Sequence, residues 1–142
     1  MKNRTKFLLP FLLLLLIAGC GKAEKQTENN QEKEQNMGIT SEVITPEEAK
    51  EIMNQDGSYV ILDVREQDEY EEGHIEGALL LPYTEIEKRA GEELPEKDQL
   101  ILVYCRSGRR SAIAAKSLTE MGYTNIKDFG GIIDWPYEVV KD

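Results

Sequence analysis

The run Cys105-Arg106-Ser107-Gly108-Arg109-Arg110-Ser111 gathers groups that make a sulfur nucleophilic. It follows an apolar, β-rich stretch and precedes a helical one. That order puts Cys105 at the carboxyl end of a strand, facing a helix N-terminus, the place where sites collect in open α/β sheets. Helix N-termini carry unpaired N–H groups and the positive end of the helix dipole. Ser107 and Gly108 let the backbone curl so that successive N–H groups point inward as an anion nest. Arg106, Arg109 and Arg110 add positive charge. Each feature favours the thiolate over the thiol, and each would draw an anionic substrate. A buried structural cysteine has no need of three arginines, a glycine and a helix start together. The sequence therefore predicts Cys105 as a catalytic nucleophile, with Arg106, Ser107, Gly108, Arg109 and Arg110 as its substrate-binding loop.

The chain has one other cysteine, Cys20, in a segment of different character. Lys2, Arg4 and Lys6 form a positive start, and residues 7–18 an apolar run broken only by Pro10. A membrane-spanning helix needs roughly 20 apolar residues, so this run is short for one and right for a signal peptide. It ends in Leu16-Ile17-Ala18-Gly19-Cys20, which resembles the lipobox of bacterial lipoproteins. That resemblance implies cleavage after Gly19, a lipid on the Cys20 sulfur, and anchoring on the extracytoplasmic face of a cell membrane. A blocked Cys20 cannot form a disulfide with Cys105. Residues 21–37 are Glu, Gln, Asn and Lys with almost nothing to bury, the composition of a disordered tether. The expected organisation is a signal peptide over 1–19, a lipidated cysteine and tether over 20–40, and one folded domain over 41–142.

Charge narrows the partners. The chain of 142 residues carries a formal net charge of −10. From Thr40 onward, 23 acidic and 11 basic residues leave −12. Nucleic acid binding needs a basic surface, so none is expected. Against that background the three arginines beside Cys105 stand out.

The elements that must position Cys105 alternate. Thr45-Pro46-Glu47-Glu48 reads as a helix start, with Thr45 as N-cap, Pro46 in the first turn and Glu48 completing a capping box. Ala49, Ile52 and Met53 make that helix's apolar face. Residues 59–64 form a continuous apolar run, as in a strand buried on both faces. A short helix is expected around 68–70, a loop at Gly73-His74-Ile75-Glu76-Gly77, a short strand over 78–81 closed by Pro82, and a helix over 84–89. The second strong strand is 99–104. A helix over 111–121 follows, stopped by Gly122. A third strong strand, 125–129, leads to Gly130-Gly131 and a last short helix holding Trp135. Alternating strands and helices define an α/β fold with a mainly parallel sheet.

Four segments together resemble the rhodanese-like sulfurtransferases. The loop from Tyr104 to Ser111 is similar to that family's active-site loop. Leu62-Asp63-Val64-Arg65 with Glu69-Tyr70 resembles its first signature, and Gly73-His74-Ile75-Glu76-Gly77-Ala78 with Leu81-Pro82 its second. Gly130-Gly131 with Trp135 resembles its C-terminal turn. The likeness runs over residues 44–140. It implies a five-stranded parallel sheet flanked by helices, as a single copy. It also implies a chemistry: Cys105 takes a sulfane sulfur from a small donor such as thiosulfate, and the persulfide passes it to a thiol acceptor, with no metal or organic cofactor. A carrier or binding module without turnover is the alternative. Cys105 to Arg110 spans Cys-x4-Arg, whereas related phosphatases and arsenate reductases use a longer Cys-x5-Arg loop; position 111 is Ser. The shorter loop favours sulfur. Asp63, Arg65 and His74 are expected to support the site. Arg65 either reaches the substrate mouth or, as favoured, pairs with Asp63 or Glu69, and His74 braces its loop. Trp135 is expected in the core or the pocket wall.

Overall fold

The computed structural model describes residues 41–141. The amino-terminal segment, including Cys20 and the proposed tether, lies outside the described residues.

The strands are β1 (Glu42–Val43), β2 (Tyr59–Asp63), β3 (Leu79–Leu80), β4 (Leu100–Cys105) and β5 (Ile126–Gly131). The helices are α1 (Pro46–Met53), α2 (Gln67–Glu72), α3 (Ile86–Glu93) and α4 (Arg109–Glu120), with 3-10 turns at Tyr83–Glu85 and Ile132–Asp134. All strands pair in parallel, in the order β1-β5-β4-β2-β3. β4 is therefore central, and its end delivers Cys105 to the middle of the sheet's carboxyl edge.

The period-2 alternation of β4 splits the core into two layers. Ile101, Val103 and Cys105 join Leu62 of β2, and Val64 just beyond it, beneath α3 and α4, where Ala90, Ala114, Ala115 and Leu118 pack. Leu102 and Tyr104 face the other way, onto Ile61, Ala49, Phe129 and Trp135. A strand apolar on both faces must be covered on both faces, and the near-continuous Leu-Ile-Leu-Val-Tyr-Cys run is what that demands. Trp135 thus lies in the core, as expected.

Local signals explain the element ends. Thr45 caps α1: its hydroxyl accepts the Glu48 N–H at 3.2 Å, and Glu48 accepts the Thr45 N–H at 2.8 Å. At the end of α3 the Tyr123 hydroxyl lies 2.8 Å from the carbonyls of both Leu94 and Ala90, the second of which also accepts the Leu94 N–H at 2.8 Å.

Several elements differ from the sequence reading: β4 runs one residue later than the expected 99–104, and Trp135 lies just past the 3-10 turn Ile132–Asp134, in extended backbone, rather than within a short helix. The strand β1 went unpredicted because it is two residues long and edge-exposed, with Val43 81 % exposed, so it carries no apolar pattern. The helix expected over 84–89 is α3, entered through a 3-10 turn and running to Glu93. β5 continues through Gly130 to Gly131. α4 begins at Arg109, not Ser111. Gly108 takes a left-handed conformation, φ +96°, which turns the chain sharply enough to start the helix at once.

Candidate active site

The site is one turn of backbone wrapped around a sulfur. Cys105 is 1 % exposed and its thiol is free. Its Sγ accepts the Gly108 N–H at 3.1 Å. The thiol donates to Ser111 Oγ at 3.7 Å, and the Ser111 hydroxyl donates to the Gly108 carbonyl at 3.0 Å. Burial alone would push the Cys105 thiol up. The N–H and hydroxyl of Ser111, with the N–H groups of Ser107 and Gly108, outweigh it and hold the thiol below its ordinary value. Of the loop N–H groups expected to face the sulfur, that of Gly108 makes a direct hydrogen bond to it, and the Ser111 hydroxyl stands beside it. Sequence reasoning took Ser111 as a helix start and missed this role. Its place three residues after Gly108, in the first turn of α4, was the available signal.

The three loop arginines divide. Arg106 and Arg109 are exposed, and neither forms an ion pair among the described residues. Arg110 is engaged. Its two terminal nitrogens donate to the two oxygens of Glu69 on α2, at 2.6 and 2.7 Å, the bidentate geometry that makes such pairs strong. This bond, above all, draws the Glu69 carboxyl down to about 2, against burial. It also raises Arg110, which feels Cys105 as a weaker partner. Arg109 and Arg110 are thus helical residues. Arg110 latches α4 to α2 and is not an open anion receptor.

Arg65 does not reach the mouth. It is 5 % exposed and folds back onto Asp63, which is fully buried. Its Nη2 donates to Asp63 Oδ2 at 2.6 Å and to the Gly73 carbonyl at 2.8 Å. Of the two partners foreseen for Arg65, Asp63 is the one it takes, because Glu69 is held by Arg110. Behind this pair, Tyr104 accepts the Ile75 N–H at 3.1 Å, and burial followed by Asp63 drives its phenol upward. His74 is buried. Its ring stacks on Tyr70 with centroids 3.7 Å apart, and its backbone exchanges hydrogen bonds with Val140 at 2.9 and 2.8 Å. Both contacts brace the loop against the chain's end.

The Gly130-Gly131 turn is the floor of the site. A Cβ on Gly131 would lie 2.3 Å from the Arg106 carbonyl oxygen and 2.6 Å from Ser107 Cα. Gly131 has ordinary extended backbone, φ −123°, so it is glycine for space rather than for conformation. The Ile133 N–H donates to the same Arg106 carbonyl at 3.2 Å.

Fold and site define a class: a parallel α/β sheet whose central strand presents a cysteine to a short cradle of N–H groups. The chain belongs to the family of rhodanese-like domains, whose family model matches residues 45–136. It is 38 % identical over 80 residues to thiosulfate sulfurtransferase PspE of Escherichia coli, covering 56 % of this chain and 77 % of that protein. It is 42 % identical over 93 residues to the putative sulfur carrier protein YrkF of Bacillus subtilis, covering 65 % of this chain but only 49 % of the relative. Among solved structures, a rhodanese with anions from E. coli superimposes with TM-score 0.57 at 35 % identity, over 60 % of this chain and 100 % of that one. A rhodanese-like domain protein from Staphylococcus aureus gives TM-score 0.63 at 26 % identity, over 71 % and 98 %.

Proposed function

We propose that this protein is a sulfurtransferase that carries a sulfane sulfur on Cys105. One observation carries the reading: a buried sulfur that accepts the Gly108 N–H at 3.1 Å, with the Ser111 hydroxyl beside it, contacts that favour its anion. Such a cradle stabilises an anion and matches a persulfide as well as a thiolate. The Cys105 thiolate attacks the outer sulfur of thiosulfate. The new S–S bond forms as the old one breaks, and its electron pair leaves with sulfite. The persulfide anion stays in the N–H cradle until an acceptor thiolate or cyanide takes the outer sulfur and returns the thiolate. Two half-reactions through one covalent intermediate give ping-pong kinetics. Arg106 and Arg109, exposed and without an ion pair among the described residues, attract the anionic donor. Thiosulfate and cyanide together should yield thiocyanate with the wild type and none with Cys105→Ser.

A carrier role is the second reading, favoured by the likeness to YrkF, which is named a putative sulfur carrier. Thiosulfate treatment would then add one sulfur, about 32 Da, to Cys105 without turnover.

The proposal includes a place. The Ala18-Gly19-Cys20 motif supports lipidation at Cys20, which would hold the domain at the membrane's extracytoplasmic face. Growth with an alkyne-tagged palmitate should label the full chain, and Cys20→Ser should remove the label. Persistent labelling of Cys20→Ser contradicts it.

A further inference from the structure

A buried carboxylate lies on the strand beside the one that carries Cys105, and the reaction scheme above does not use it. Asp128 of β5 is 5 % exposed, and among the described residues no cation pairs with it. It lies opposite Val103 in the ladder with β4, and the pairing resumes at Cys105 opposite Gly131. β5 thus takes three steps where β4 takes two, which is a bulge. Asp128 Oδ1 accepts the Gly130 N–H at 3.0 Å and closes that bulge. Gly130 is left-handed there, φ +87°.

The bulge touches the cysteine loop twice. The Gly130 carbonyl lies 3.4 Å from Ser111 Oγ. Gly131 backs the Arg106 and Ser107 backbone so closely that no side chain fits between them. Ser111 Oγ in turn lies 3.7 Å from Cys105 Sγ. We propose that Asp128 is a positioning residue for Cys105: by holding the β5 bulge, it sets where the Ser111 hydroxyl and the loop backbone stand relative to the sulfur. The Ser111 hydroxyl has one proton. Beside the thiol it donates to the Gly108 carbonyl. Beside the thiolate it can turn to Sγ, provided its oxygen stays within reach. The bulge keeps it there.

Burial pushes the Asp128 carboxyl up, and the Gly130 N–H and the Ser111 hydroxyl pull it back. Protonated or ionised, the carboxyl still offers Oδ1 to Gly130, so asparagine is the replacement that preserves the bulge. Arg110 of α4, itself paired with Glu69 of α2, is the other charged group that bears on the sulfur, and the variants leave that pair intact.

The inference rests on Cys105 being the sulfur nucleophile, and its test separates the two ideas. The pH profile of iodoacetamide alkylation is measured on the full chain for wild type, Asp128→Ala and Asp128→Asn, with thiocyanate formation in parallel and thermal melts to establish folding. The expected result for Asp128→Ala is an alkylation midpoint higher by about one pH unit, the size of one lost charge-assisted hydrogen bond, with turnover reduced at pH values below the shifted midpoint. Asp128→Asn should stay within about 0.3 unit of wild type. If Asp128→Ala does not fold, Asp128→Glu replaces it, since the extra methylene carries the carboxylate away from Gly130; the same upward shift is expected. A folded Asp128→Ala with the wild-type midpoint, or an Asp128→Asn displaced as far as Asp128→Ala, overturns the inference. A wild type that forms no thiocyanate overturns the sulfurtransferase reading instead, and leaves the alkylation profiles to decide on Asp128.

Discussion

Two arginine–carboxylate pairs stand out among the described residues near the carboxyl edge of the sheet, and they are built for different tasks. Arg65–Asp63 is sealed at the carboxyl end of β2, with side chains 6 % and 0 % exposed. Arg110–Glu69 spans α4 and α2 at the lip of the site, with side chains 15 % and 24 % exposed. A charge taken fully out of water must keep its partner, so the first pair belongs to the fold. The second still meets water and is replaceable, so it adjusts the loop. The contrast shows that an arginine that the sequence offers to a thiol can be held by a carboxylate instead. Here Arg65 and Arg110 are bound to carboxylates, and the direct stabilisation of the sulfur comes from backbone N–H groups and Ser111.

The sharpest way to break this contrast is to remove Arg65. Arg65→Ala leaves Asp63 buried and uncompensated, and should cost about 3–5 kcal/mol in urea unfolding. That is a large part of the roughly 5–15 kcal/mol that holds a domain together. A cost below about 1 kcal/mol would mean that Asp63 reaches water or finds another partner. Gly131→Ala should come next. Its Cβ meets the Arg106 carbonyl, so the loop or β5 must shift, costing about 1–3 kcal/mol. The acid-shifted alkylation profile of Cys105 should be lost with it, and an unchanged profile would show that the loop yields without disturbing the sulfur.

Glu69→Gln tests the lip. In the folded chain Glu69 sits near 2, below its ordinary 4.5. A depressed carboxyl contributes stability that is present above the unfolded value and is lost as pH falls toward the folded one. Wild type should therefore exceed Glu69→Gln by about 1–2 kcal/mol at pH 7, less than the full linkage value because both groups meet solvent. The difference should shrink between pH 4.5 and about 2. A gap that persists to the acid end would assign the effect to shape rather than charge. The smallest effect on stability belongs to Arg106→Ala and Arg109→Ala, within about 0.5 kcal/mol. Each should still raise KM for thiosulfate several-fold, and less so at high salt; an unchanged KM would remove them from donor capture.

Much of this was readable in the sequence. The apolar runs at β2 and β4 allowed only buried parallel strands, and the capping box at Thr45 placed α1. The loop declared itself because a cysteine, a glycine and three arginines rarely coincide by accident. What could not be read was pairing across the fold. Glu69 and Arg110 lie 41 positions apart, and nothing local told Arg65 from Arg110 as Glu69's partner. Strand β1 has no pattern of its own, since only its pairing with β5 makes it a strand. Ser111 and Asp128 looked like ordinary helix and strand residues, because their meaning lies in a bulge and a left-handed glycine that the chain's spacing does not reveal.

The central claim is that the Cys105 sulfur accepts another sulfur and holds it as an anion. Intact-mass spectrometry after brief exposure to thiosulfate tests this without assuming any acceptor. Wild type should gain about 32 Da, one sulfur atom, that cyanide or a thiol removes, and Cys105→Ser should gain nothing. Wild type left at its starting mass, or equal loading of Cys105→Ser, would contradict the account.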